Sequence, residues 1–298
     1  MEELSAGIAE AGFHLQSSLR ADGNQMLLRI VAAETRLPVR RRVLVMSDTG
    51  AGFEDRLGFH TINSLMPAGA EVHHGHLRPW NVPRGDFDLL VLGVGNSMFQ
   101  PILTDQLMDL VARIPRSIGI FGTQYREGID GGRMARLIDR LTVWFARNEE
   151  DLLLYGARQK KAVHLGDWLI SALPLTRWER DETLQAGPEV LTDMPLDRAI
   201  RNIRKYRSVV AEEVTLLLCA LTSAERVAYR EQREDGSGKL SGKFRSLLID
   251  IFGRTWPEEH FFEVPRDAVA AYRARSMRVM SGMPALFGQL LELDGPAR

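Results

Sequence analysis

The chain has 298 residues, 45% hydrophobic and 26% charged, which suits a globular protein with one large core or two modest ones. Lys and Arg number 38 against 39 Asp and Glu, so no basic footprint for a polyanion is signalled and no nucleic-acid partner is expected. No run approaches the roughly 18 apolar residues that cross a bilayer; the opening MEELSAGIAEAGFHLQSSL also lacks the basic region and apolar core of a signal peptide, so the expectation is a cytoplasmic protein.

In chain order, residues 3–20 and 26–33 carry apolar residues at loosely helical spacing. Val43 to Met46 then reads as a short buried strand that runs into the loop Ser47 to Gly52 and a helix from Leu57 to Leu65. The pattern repeats with a strand over 87–92, a Gly-rich turn, a helix over 102–114, a strand over 116–124 and a helix over 134–141. Leu152–Tyr155 and Ala162–Leu165 are short strand candidates, and 177–195 reads as a loop. A helix over 196–205, a strand over 207–211, a helix over 212–224 and a strand over 226–229 follow. A polar Gly-rich loop over 230–242 then precedes helices over 243–251 and 264–293.

Short apolar strands alternating with amphipathic helices predict α/β architecture, with a parallel sheet covered on both faces. The division expected is an amino-terminal α/β domain over 1–155 and a carboxy-terminal one over 156–298, whose last helix is free to pack on the first. Ligands in such sheets sit beyond the carboxyl ends of the strands. That rule singles out Asp48, Asn96, Thr123 and Gln124 at predicted strand ends, with Arg147 and Asp167 just beyond later apolar segments. Turn chemistry and helix capping explain Asp, Asn and Thr at such places equally well.

No metal signature is present: His73, His74 and His76 cluster with Glu71 alone, which fits solvated loop histidines. Phosphate loops, nucleophile elbows and full dinucleotide fingerprints are also missing. The single cysteine, Cys219, lies in the most apolar run and reads as a small buried hydrophobe. Arg273, Arg275 and Arg278 on the last helix are a weak signal for peripheral contact with a membrane surface.

The order LGVGN (92–96), GIFGTQ (119–124), ARNEED (146–151), Asp167 and VVAEEVTLLLCALTSAERVAY (209–229) resembles the polysaccharide pyruvyl transferase family, over about residues 43–232. The resemblance implies a GT-B-like fold of two Rossmann-like domains facing a cleft. It also implies transfer of a carboxyethylidene group from phosphoenolpyruvate to two hydroxyls of a sugar in an exopolysaccharide or capsule precursor. Phosphoenolpyruvate is then a donor substrate and no cofactor is required; the partner is a saccharide acceptor, lipid-linked or free. The chemistry needs cations for the donor, an acid for the enol carbon and a base for the hydroxyl.

Family members generally carry a basic residue, often His, near the start of the closing helix, where this chain has Glu212, Glu213 and Thr215. Donor binding is therefore expected of Arg147, Arg230 and Lys243, acid–base work of Glu212, Glu213 and Asp167, and substrate positioning of Asp48, Asn96, Thr123 and Gln124. Replacing Arg147 with Ala is expected to weaken donor binding and leave folding near normal. Two alternatives stay open: a GT-B glycosyltransferase that uses a nucleotide sugar with a carboxylate base, and a catalytically inactive binding or scaffold protein.

Overall fold

The computed structural model describes residues 13–19, 26–32, 41–49, 52–95, 97–156, 161–187, 194–234 and 236–292. The chain forms two compact units, Met1–Arg40 and Arg41–Arg298. In the first, β1 (Phe13–Leu19) and β2 (Met26–Ala32) pair antiparallel, where helices over 3–20 and 26–33 were expected. Residues 3–12, 20 and 33 of those expected helices lie outside the described residues. Two paired antiparallel strands satisfy each other's backbone groups along their length.

The second unit opens with β3 (Arg41–Ser47), whose last five residues are buried. Helix α1 (Phe53–Leu65) leads to β4 (Ala70–Leu77) and the two-residue β5 (Trp80–Asn81). After β6 (Leu89–Leu92) and β7 (Ser97–Met98) come α2 (Asp105–Arg113), β8 (Ser117–Thr123), α3 (Gly131–Arg140), β9 (Val143–Ala146) and β10 (Ala162–His164). The sheet order is β10-β9-β8-β6-β3-β4-β5, with β7 paired to β8; every pairing is parallel except β4 with β5. Its two faces are covered separately. Val43, Val45, Leu89, Val91, Ile118 and Ile120 join one core with α1, while Leu44, Met46, Leu90 and Leu92 join another with α2 and α3.

A second sheet, β11 (Arg180–Ala186), β12 (Tyr206–Ala211), β13 (Arg226–Tyr229) and β14 (Phe262–Glu263), is parallel up to its antiparallel edge β14. Its helices are α4 (Leu196–Arg204), α5 (Val214–Leu221) and α6 (Lys243–Phe252). All eight residues of α5 are buried, as suits a helix that is apolar all round. Burial pushes the Cys219 thiol up to about 12, so this cysteine is an inert packing residue. The terminal helices α7 (Arg266–Met280) and α8 (Met283–Glu292) return to the first half, where Met283, Phe287 and Leu290 share a core with Phe53, Leu57 and Ile62. The chain thus adopts the expected pair of Rossmann-like α/β halves facing a cleft.

Three local expectations are corrected. Leu152–Gly156 is a π-helical turn rather than a strand, following the single turn Glu149–Asp151 that Asn148 caps through its side chain. Residues 180–186 of the expected loop form β11, a largely exposed edge strand whose polar sequence hides its backbone role. His73, His74 and His76 lie on β4, not on a loop. The parallel register of β3 and β4 puts His74 on the face of Val45, where its ring meets Phe59 edge-on at 4.2 Å. Among the described residues, no helix is long and apolar enough to cross a membrane.

Burial, and then the neighbouring His76 and His73, lower the pKa of His74 below the ordinary histidine value of 6.5. Unfolded chains therefore take up a proton at this residue before folded ones do, and stability falls as pH drops below 6.5 toward the lowered folded value. Urea melts from pH 7.5 to 5 should show this decline, and His74→Leu should flatten it. An equal decline in the variant would assign the effect to another group.

Candidate functional site

The geometry starts at Arg147, the first residue beyond β9. Its side chain is 6% exposed, with Nη1 donating to Glu54 Oε1 at 2.7 Å and Nη2 to Asp167 Oδ2 at 2.5 Å. Burial alone would lower the guanidinium pKa; Asp167 and Glu54 outweigh it, so the group stays charged. Glu54 comes from the first turn of α1, and Asp167 caps the 3₁₀ turn Trp168–Ala172 by accepting from Leu169 N–H. Helix α7 fixes the loop that carries Asp167. Tyr272 Oη accepts from the Asp167 amide, and Ser276 donates to Leu165 O at 2.9 Å. The left-handed Gly166 (φ 78°) between them has no room for a side chain, since a Cβ would stand 2.8 Å from Tyr272 Oη.

Beside it lies a second buried carboxylate. Asp151 accepts from Thr123 N–H at 2.6 Å, from Thr123 Oγ1–H, from Asn148 Nδ2 and from Arg126 Nε at 2.8 Å. Gly122 permits this approach, because a Cβ there would meet Asp151 Oδ2 at 2.9 Å. Arg126 continues outward to Glu150 at 2.8 Å and to Ser246 Oγ on α6 at 2.9 Å.

The second half supplies two helix starts. At α6 the amides are already served: Ser241 Oγ accepts from Lys243 N–H, and the buried Glu231 accepts from Arg245 N–H. Burial pushes the Glu231 carboxyl up, against the pull of hydrogen bonds donated by Ser241 Oγ–H and the Arg245 amide. At α5 the N-cap is Glu213, whose side chain makes no capping hydrogen bond. Between the halves lies a cavity of about 20 Å³, lined by Gly122, Thr123, Arg147, Asn148 and Asp167 of the first and by Val214, Lys243, Ser246 and Leu247 of the second.

Of the residues picked from sequence, Thr123, Arg147, Asp167 and Lys243 meet at this cavity, and Glu213 adjoins its wall at Val214. Glu212 is half-exposed and paired with Arg230 at 2.6 Å; Arg230 also binds Glu259 at 2.9 Å. Asp48 pairs with Arg78, and Gln124 is buried but outside the lining. Asn96 lies outside the described residues. Sequence reasoning missed Glu54, Arg126, Asp151, Ser246 and Tyr272. Asp151 was within reach, as the last residue of the ARNEED segment, but Glu54 and Tyr272 act on positions 93 and 105 residues away. Of the arginines read as a membrane signal, Arg273 is held by the carbonyls of Ser171 and Leu173, and Arg275 by Asp250.

No protein-family model matches the chain, and no curated protein matches it. Among solved structures, an alpha-glucosyltransferase (AGT) in complex with UDP matches 84% of this chain and 95% of its own, at 9% identity and a TM-score of 0.35. A second, an alpha-glucosyltransferase in complex with UDP and a 13-mer DNA containing a central A:G mismatch, matches 84% and 93%, at 8% identity and a TM-score of 0.36. Likenesses this loose carry no argument about the ligand of this chain. The exclusion of nucleic acid drawn from net charge is corrected to no exclusion: a near-zero net charge does not decide the partner, and the second of these structures is in complex with DNA.

Removing one partner from a buried ion network leaves uncompensated charge, which costs about 3–5 kcal/mol. Arg147→Ala should therefore destabilise the protein by about that amount in urea denaturation, in place of the near-normal folding expected from sequence. Adding Glu54→Gln and Asp167→Asn should recover part of the loss. A loss below about 1 kcal/mol, the value of an exposed pair, would show that the guanidinium does not hold the site together.

Proposed function

We propose that the cleft carries out group transfer from a nucleoside-diphosphate-linked sugar to an acceptor hydroxyl. The observation that carries this reading is the supply of charge at the cavity. Arg147 is committed to two carboxylates, and Arg230 to Glu212 and Glu259. Little cationic charge is left for the phosphate and carboxylate of phosphoenolpyruvate. A diphosphate asks for less: the start of α5 at Val214, which the Glu213 side chain does not cap, and Lys243 line one side of the cavity. Asp167 stands on the other, where a carboxylate oriented by Arg147 suits a general base for a hydroxyl.

Pyruvyl transfer from phosphoenolpyruvate is the second reading. It is favoured by one observation, that Thr123, Arg147 and Asp167, which belong to the segments that carry the family resemblance, line the same cavity. Thermal shift separates the two, because a ligand that binds only the native state raises the melting temperature by mass action, by about 2.7 kcal/mol of stability at a hundred times its Kd. A panel of nucleotide sugars should stabilise the protein, and Lys243→Ala should weaken that effect. Stabilisation by phosphoenolpyruvate alone would transfer the assignment to the second reading, and no shift with either donor would reject both.

A further inference from the structure

The cavity is open to solvent on one side and has room for little more than a water molecule. It therefore suits a single oxygen of a ligand whose bulk stays in the open cleft. Asn148 and Asp167 both line it, and the hydrogen bonds each already makes decide what that oxygen can do there.

Asn148, 7% exposed, has a hydrogen to spare. Its Oδ1 accepts from Asp151 N–H at 2.8 Å, and its Nδ2 donates to Asp151 Oδ2 at 2.8 Å. That pair fixes which way round the amide sits, since a flipped amide would set oxygen against carboxylate and NH2 against N–H. The NH2 group carries two hydrogens, and among the described residues Nδ2 has no acceptor besides Asp151. Gly122 keeps the approach open, because a Cβ there would stand 3.0 Å from Nδ2. The other neutral side-chain donors on the wall are spent. Thr123 Oγ1–H goes to Asp151, and the one hydrogen of Ser246 Oγ goes to Glu150 at 3.0 Å or to Gly242 O at 2.8 Å.

Asp167 has the complementary capacity. Its carboxylate accepts from Arg147 Nη2 and from Leu169 N–H, which fills two of about four lone-pair positions and leaves room for a hydroxyl proton.

We infer that Asn148 binds the acceptor hydroxyl: the oxygen in the cavity accepts from Nδ2 and points its proton at Asp167. The reaction in this inference is that of the proposed function; the place of the oxygen rests on the cavity alone. In the transfer step the hydroxyl oxygen bonds to the anomeric carbon of the donor sugar, and the bond from that carbon to the diphosphate breaks. Its electron pair leaves on the diphosphate, and the hydroxyl proton passes to Asp167. Asn148 occupies one lone pair of the oxygen and leaves the other to attack, so its contribution is orientation of the nucleophile.

Water is the simplest oxygen that can take this place. A crystal structure of the protein without ligand should show an ordered water within about 3.2 Å of both Asn148 Nδ2 and the Asp167 carboxylate. A water that touches one of them only, or none at all, would overturn the inference. Asn148→Ser keeps an oxygen to accept from Asp151 N–H but removes the spare hydrogen. With a nucleotide sugar as donor and water as acceptor, this variant should release nucleoside diphosphate at least about tenfold more slowly in kcat, with KM for the donor and the thermal shift it causes unchanged. Unchanged kcat, or weakened donor binding in its place, would also overturn the inference. If the wild type releases nucleoside diphosphate from none of the nucleotide sugars, the proposed function fails and the water alone decides whether Asn148 and Asp167 share an oxygen.

Discussion

A buried guanidinium between two carboxylates is the constraint on which the rest of this structure depends. Arg147 follows β9, Glu54 belongs to α1 and Asp167 follows β10, so one side chain fixes the ends of three elements of the first half. None of the three charges could sit there alone, because moving an ion out of water costs several kcal/mol unless a partner and good geometry offset it. The triad therefore forms as a unit. It places a carboxylate at the wall of a cleft that Thr123, Asn148, Lys243 and Ser246 also line.

The same economy governs the neighbouring charges. Asp151 is saturated by Thr123, Asn148 and Arg126, and Glu231 occupies the amides at the start of α6. The carboxylates supply most of the ligands that these cations and amides need, which is why a site with several arginines offers little free positive charge. The closing glutamates, Glu212 and Glu213, fit that arrangement differently. Glu212 is tied to Arg230 at the surface, and Glu213 begins α5 without capping it.

The alternating α/β architecture was legible because the inner strands are short apolar runs, such as LLVL and SIGIFGT, as burial on two faces requires. Strands of mixed polarity were not legible. AEVHHGHL and RDETLQA lie at or near sheet edges, where backbone pairing decides the conformation and side chains carry little signal. The rule that ligands gather beyond strand ends found Thr123, Arg147 and Asp167. It could not find Glu54 or Tyr272, since both reach the site from helices and their roles depend on contacts between distant parts of the chain. Nor could it tell a free arginine from a committed one, because the partners of Arg147 and Arg230 are set by tertiary packing.

The return of α7 and α8 to the first half also bears on the order in which the protein is made. Phe53, Leu57 and Ile62 belong to the same apolar cluster as Met283, Phe287 and Leu290, and the loop of Asp167 takes its hydrogen bonds from Tyr272 and Ser276. A chain emerging from the ribosome thus completes its first sheet long before it has the helices that cover α1 and steady that loop. The two halves are separate in architecture but not in synthesis: the first waits, with part of its core uncovered, for residues near the end of the chain.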